Sequence, residues 1–130
     1  MGTPRAPGWD NAPFAGSGWV TNRDAQYAAN LLRLHSYGAI AYSPSTGRYG
    51  WSYRASDRAS AEKVALDNCG TNDASILVWG NSTYLALAVA DGGAYGWAWD
   101  DKPRVARKRA LSECKGPNPR IAVLFDTRRG

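Results

Sequence analysis

Side chains able to do covalent chemistry are scarce in this chain, whereas side chains able to grip a partner are plentiful. There is one histidine, His35, and there are two cysteines, Cys69 and Cys114. A structural zinc site takes four nitrogen or sulfur ligands, which these three residues cannot furnish. Any Ser-His-Asp or Cys-His nucleophile would have to run through His35. We expect that imidazole at a helix C-terminus, where the dipole favours a positive charge. Glycoside hydrolysis needs two carboxylates across a cleft. Glu62, Asp67, Asp100, Asp101 and Glu113 are available, yet no spacing selects a pair. There is no glycine-rich phosphate loop either, and nothing calls for a metal or cofactor.

The binding residues are aromatic and basic. Tyr49, Trp51 and Tyr53 alternate, as do Tyr95, Trp97 and Trp99. Period-two spacing on a strand sets the three rings of each run on one face. Gly50, Ser52 and Arg54, or Gly96, Ala98 and Asp100, take the other face. Such rings serve either as core or as a platform for sugars, bases or a protein. We expect Trp51 and Trp97 in the core, covered by helix alanines, with Tyr53 and Trp99 nearer the rim as candidate partner contacts. Arg104, Arg107 and Lys108 form a second candidate surface, a basic helix face suited to an anionic partner.

An internal repeat dictates how these residues are positioned. Tyr49-Gly50-Trp51 recurs as Tyr95-Gly96-Trp97 at an offset of 46 residues, and Cys69 recurs as Cys114 at 45. Ala39-Ile40-Ala41 recurs as Ala86-Leu87-Ala88 at 47. A repeat of this length is a supersecondary unit whose hydrophobic face its copy completes. Each copy reads as strand, turn, strand, helix, strand. The first strands are Ala39–Ser43 and Leu85–Ala90, and their hairpin partners are Tyr49–Arg54 and Tyr95–Trp99. Ser56 or Asp57 caps the first helix, which runs to Asn68. Asp101 caps the second, with Pro103 in its first turn and Cys114 at its end. Gly70 and Gly116 stop the helices, and Ser75–Trp79 and Arg120–Phe125 close the units as strands.

The fold class expected is α+β. Two ββαβ repeats, about 38–79 and 84–126, are related by pseudo-twofold symmetry, with helices on one largely antiparallel sheet. Residues 1–20 read as an irregular Gly/Pro/Ala-rich arm and residues 21–36 as an added helix, followed by the duplicated domain over 37–130. Equivalent placement leaves Cys69 and Cys114 either as buried thiols or, if the helix ends converge, as a disulfide.

Charge and length exclude other classes. The 130 residues are 44% hydrophobic and 12% aromatic, which rules out a disordered chain. The net charge of +5 is spread along the sequence, so no basic tail organises it. No stretch approaches the ~20 apolar residues of a membrane span. The start, Met1-Gly2-Thr3-Pro4-Arg5, leads into no apolar h-region of a signal peptide.

At Gly38-Ala39-Ile40-Ala41-Tyr42, Ala61-Glu62, Ala65-Leu66 and Cys69-Gly70, with weaker echoes in the second copy, the chain resembles a known family. It is similar, over about residues 37–126, to the bacterial domain of unknown function numbered four-one-eight-nine. That resemblance implies an exported protein and supplies no catalytic residues. Family members place a second cysteine soon after the Cys-Gly, giving local disulfides; Thr71–Ser75 and Lys115–Arg120 contain none.

The function expected from all this is a non-enzymatic binding domain that recognises another macromolecule, a protein foremost. An effector, inhibitor or immunity role follows by analogy. Nucleic-acid or polyanion binding through Arg104, Arg107 and Lys108 is the alternative, and a cell-wall glycan hydrolase a lesser one.

Overall fold

The computed structural model describes residues 35–130. The arm expected over 1–20, and the helix expected over 21–36 apart from its last two positions, lie outside the described residues. The elements run β1 Tyr37–Tyr42, β2 Tyr49–Ala55, α1 Arg58–Cys69, β3 Ser75–Asn81, β4 Tyr84–Val89, β5 Tyr95–Asp100, α2 Pro103–Glu113 and β6 Arg120–Asp126. A 3₁₀ turn, Asp91–Gly93, precedes β5.

Local chemistry sets the helix ends. The Asp57 carboxylate accepts from the Ser60 N–H at 2.7 Å and so caps α1. Gly70 terminates it in the left-handed region, φ 73°, donating its N–H to the Leu66 carbonyl. The second helix starts differently. Pro103 occupies its first turn and Lys102 is the cap residue, without a side-chain cap bond. The expected cap, Asp101, instead accepts from the Thr83 hydroxyl at 3.2 Å. A proline forces the residue before it into extended backbone, which moves the helix start one residue beyond Asp101.

The strands form two antiparallel sheets, ordered β2-β1-β3 and β5-β4-β6. The α+β class stands, but the single sheet expected from the sequence is corrected to two. Each central strand, β1 or β4, pairs on both sides with strands of its own unit, so the halves meet face to face. Ile40, Tyr42 and Val78 from one sheet and Leu85, Leu87, Val123 and Phe125 from the other form the central cluster. Fully burying a side chain such as Leu87 contributes roughly 1.5–3 kcal/mol.

The outer faces of the sheets carry the helices. Ala39 and Ala41 lie against Ala61, Ala65 and Cys69 of α1. Ala86, Ala88 and Ala98 lie against Ala106 and Ala110 of α2 and against Cys114. The order of layers is helix, sheet, sheet, helix. Cys69 and Cys114 therefore belong to opposite outer layers, and both are buried free thiols.

Contact between helix and sheet is unusually close at two glycines. A Cβ on Gly50 would run into the Cys69 backbone nitrogen and lie 2.6 Å from the Ala65 carbonyl oxygen. One on Gly96 would lie 2.5 Å from the Cys114 nitrogen and 2.7 Å from the Ala110 carbonyl. These neighbours are backbone atoms, which cannot rotate away.

Thr127, fully buried, ties the sheets together. Its hydroxyl accepts from the Thr83 N–H at 3.0 Å. Its carbonyl accepts from the Arg54 N–H at 2.8 Å.

Gly50→Ala and Gly96→Ala should each destabilise the fold by about 1–3 kcal/mol through overpacking. Gly47→Ala meets no atom within 4 Å and bears only the strain of its φ of 75°, so it should cost less than either. Urea denaturation of the three variants measures the difference.

Candidate functional site

Strand register decides which way the aromatic rings point. Trp51 lies opposite Ile40, while Trp97 and Trp99 lie opposite Leu87 and Leu85. Facing residues of paired strands share a side of the sheet. The rings therefore share the inner face with the central cluster, and Gly50, Ser52, Gly96 and Ala98 face the helices. Covering of Trp51 and Trp97 by helix alanines is thus corrected. The alanines cover the small-residue face, where the helix backbone sits too close for any ring.

Because β2 and β5 are edge strands, their rings overhang the core. Trp51 is 38% exposed and Trp97 40%, so neither is core. Tyr53 and Trp99 are more open still, at 46% and 53%. One ring from each of these strands packs on an aromatic ring of the other sheet. The centroids of Trp51 and Phe125 are 6.3 Å apart, and those of Tyr42 and Tyr95 are 4.4 Å apart.

The candidate residues do not all come together. Tyr53 stands on β2 beside Gly130. Trp99 belongs to β5, of which residues 95–99 line a groove of about 510 Å³ closed on its other side by Arg109, Ser112 and Glu113 of α2. An adjoining hollow of about 650 Å³ continues along the helix past Arg104, Val105 and Lys108, sharing Arg109 and Ser112. Arg104 and Lys108 therefore belong to the same surface as Trp99, while Arg107 is exposed but lines neither hollow.

Arg109, Tyr95 and Trp97 also line this groove and were not among the candidate contacts read from the sequence. A helical-wheel count had the signal for Arg109. With Ala106, Ala110 and Cys114 marking the buried side, positions 105, 108, 109 and 112 form a flanking stripe.

The electrostatics differ between the two helices. On α1, Arg58 pairs with Glu62 at 2.8 Å and Lys63 with Asp67 at 3.0 Å. The Arg58 guanidinium also lies 4.6 Å from the centre of the Trp79 ring. On α2, Arg109 reaches Asp100 only at 3.9 Å. Arg104, Arg107 and Lys108 make no ion pair among the described residues.

The strongly held carboxylates are used elsewhere, in loop clasps. Asp73 accepts from the Ser43 hydroxyl at 2.6 Å and from the Ser45 N–H at 3.2 Å. These bonds hold its carboxyl well below the ordinary range. Asp91 accepts from Asn118 at 2.8 Å and from Arg120 at 3.2 Å, and it too is lowered. Among the described residues no group of three or more His, Cys, Asp or Glu could hold a metal ion. Nor is any described helix long and apolar enough to cross a membrane.

Trp97→Ala and Trp99→Ala should each cost about 1–2 kcal/mol, because half-open rings lose only part of a buried aromatic's contribution. Leu87→Ala, at a fully buried site, should cost about 2–5 kcal/mol. Chemical denaturation of the three variants checks the ranking.

Three comparisons with known proteins bear on this arrangement. The NMR structure of Rv1813c from Mycobacterium tuberculosis is similar, with a TM-score of 0.55 and 29% sequence identity over 71% of this chain and 75% of that one. No curated protein sequence matches the chain. A family model described as "Domain of unknown function (DUF4189)" matches residues 37–123.

Proposed function

This chain belongs to the DUF4189 family, and on that premise we propose that it is a non-enzymatic binding module whose partner is a protein. The observation that carries the reading is the open aromatic edge of β5 beside an exposed basic helix. Trp, Tyr and Arg are the residue types that dominate protein–protein hot spots. Here Trp97, Trp99, Tyr95 and Arg109 line one groove.

We read the two ββαβ units as a duplication related by a pseudo-twofold axis, in which the second copy has become the binding half. An inserted residue in β3 between the partners of Ile40 and Ala41 recurs in β6 between the partners of Leu87 and Ala88. This shared irregularity supports common descent of the halves. An effector, inhibitor or immunity role attaches to the module by analogy.

Nucleic-acid binding is the second reading, favoured by the exposed Arg104, Arg107 and Lys108. It requires affinity that falls steeply with salt. The regular edge of β5, which no strand borders on its outer side among the described residues, suits a polypeptide strand better than a phosphate backbone.

Affinity capture with the full chain should yield a defined complex with one protein partner. Trp99→Ala should weaken that complex by roughly 2 kcal/mol, about thirtyfold in Kd, as loss of a hot-spot ring does. Turnover of a defined substrate, abolished by a single polar substitution, would contradict the reading.

A further inference from the structure

Four strands border the two sheets, and three of them are irregular. β2 carries an extra residue in its pairing near Gly38. Arg54 there has a φ of 58° and gives its N–H to Thr127. β3 bulges at Leu77 and β6 at Ala122. Bulges of this kind keep an edge from recruiting another strand.

β5 is different. It pairs with β4 through six consecutive residues, Tyr95 to Asp100, with no shift of register. Among the described residues no strand lies along its other side. Its outward N–H and C=O groups form a regular ladder that no described strand pairs with. That same edge floors the 510 Å³ groove, and α2 walls it.

We propose that this groove receives an extended segment of an acidic partner protein, added to the sheet as a fourth strand along β5. The inference rests on the binding-module reading and deepens it, naming the partner's chemistry and how it attaches. Six residues of strand span about 20 Å, so the added segment is of similar length. Its side chains point alternately to the two faces of the sheet. One set meets Trp97 and Trp99, which suit aliphatic or aromatic groups.

The other set meets the wall of α2, where Arg104, Lys108 and Arg109 outnumber the one carboxylate, Glu113. Acidic residues at every second position match that wall. Main-chain bonds along the edge supply affinity, and the alternating contacts supply specificity. A nucleic acid has no strand backbone to continue the ladder. A second copy, paired symmetrically and antiparallel through β5, would bring its own basic α2 beside this one, so like charges oppose it.

The test is NMR titration of the isotope-labelled full chain with blocked decapeptides. One alternates glutamate and valine. A second alternates lysine and valine. A third is the glutamate peptide with proline in place of one central valine, which keeps the charge and breaks the strand. Decathymidylate is the polyanion control.

The glutamate–valine peptide should slow hydrogen exchange at the amides of residues 95–100 that face outward and give cross-strand contacts to β5. The lysine and proline peptides should each bind at least about tenfold more weakly. Lys108→Glu combined with Arg109→Glu, at two exposed positions, should weaken the glutamate peptide by about tenfold or more. It should also improve the lysine peptide.

Equal binding of the proline peptide overturns strand addition and leaves the protein-binding module standing. So does peptide binding mapped to β2 or elsewhere. Protection of the β5 amides in the free chain, by residues 1–34 or by a second copy, also overturns it. Binding of decathymidylate alone at β5 overturns both readings at once.

Discussion

The backbone of each helix rests directly on the backbone of an edge strand, and most of the architecture follows from that contact. Gly50 and Gly96 leave no room for a Cβ beneath α1 and α2. Small residues line the heart of that interface, with larger ones such as Ile76 and Leu124 only at its margins, so the aromatic side chains of those strands take the other face. That face is apolar, and it can be buried only against its counterpart in the other unit. The central cluster fills the space between the two inner faces, drawn from β1, β3, β4 and β6. Its rigidity comes from close packing of branched side chains in the middle layer, and Thr127 fastens one end with hydrogen bonds to both halves.

The same constraint exposes the rings. A three-stranded sheet offers a narrow inner face, and its middle strand takes the centre. Rings on the flanking strands then extend past the opposing sheet, as Trp51, Trp97 and Trp99 do. The two units differ in what borders these rings. Around β2 the backbone is bulged and bonded to Thr127, and the charges of α1 are paired internally. Around β5 the strand is regular and α2 presents cations with few counter-charges. The two three-stranded sheets thus differ at these edges, one irregular and one regular.

Much of this was legible in the sequence. The offsets between Tyr49-Gly50-Trp51 and Tyr95-Gly96-Trp97 fixed the element order, and the period-two alternation placed the rings of each strand on a common face. Family membership was carried by the small-residue motif around Gly38–Tyr42 and Cys69-Gly70. The choice of face was not legible. Alanines on a helix look like a cover for rings until the depth of contact at Gly50 and Gly96 is known, and that depth is a tertiary quantity. Two sheets in place of one were hidden for a similar reason, since a strand's own residues do not say whether its outer edge meets the other half. The cap at Asp101 failed on local grounds, because Pro103 shifts the helix start by one residue. Arg109 was passed over although its place on the wheel flanks the buried alanines.

The claim on which everything else turns is that the rings of β2 and β5 lie on the open side of their strands and not under the helices. Fluorine NMR of the fluorotryptophan-labelled full chain, recorded in light and heavy water with each resonance assigned by substitution, reads that directly. Solvent contact shifts a fluorine resonance between the two solvents, whereas a ring sealed beneath a helix shows no such change. The account predicts a clear solvent shift for Trp51, Trp97 and Trp99, largest for Trp99. Absence of a shift at Trp51 and Trp97 would contradict it, restoring those two rings to the core and closing the groove beside β5.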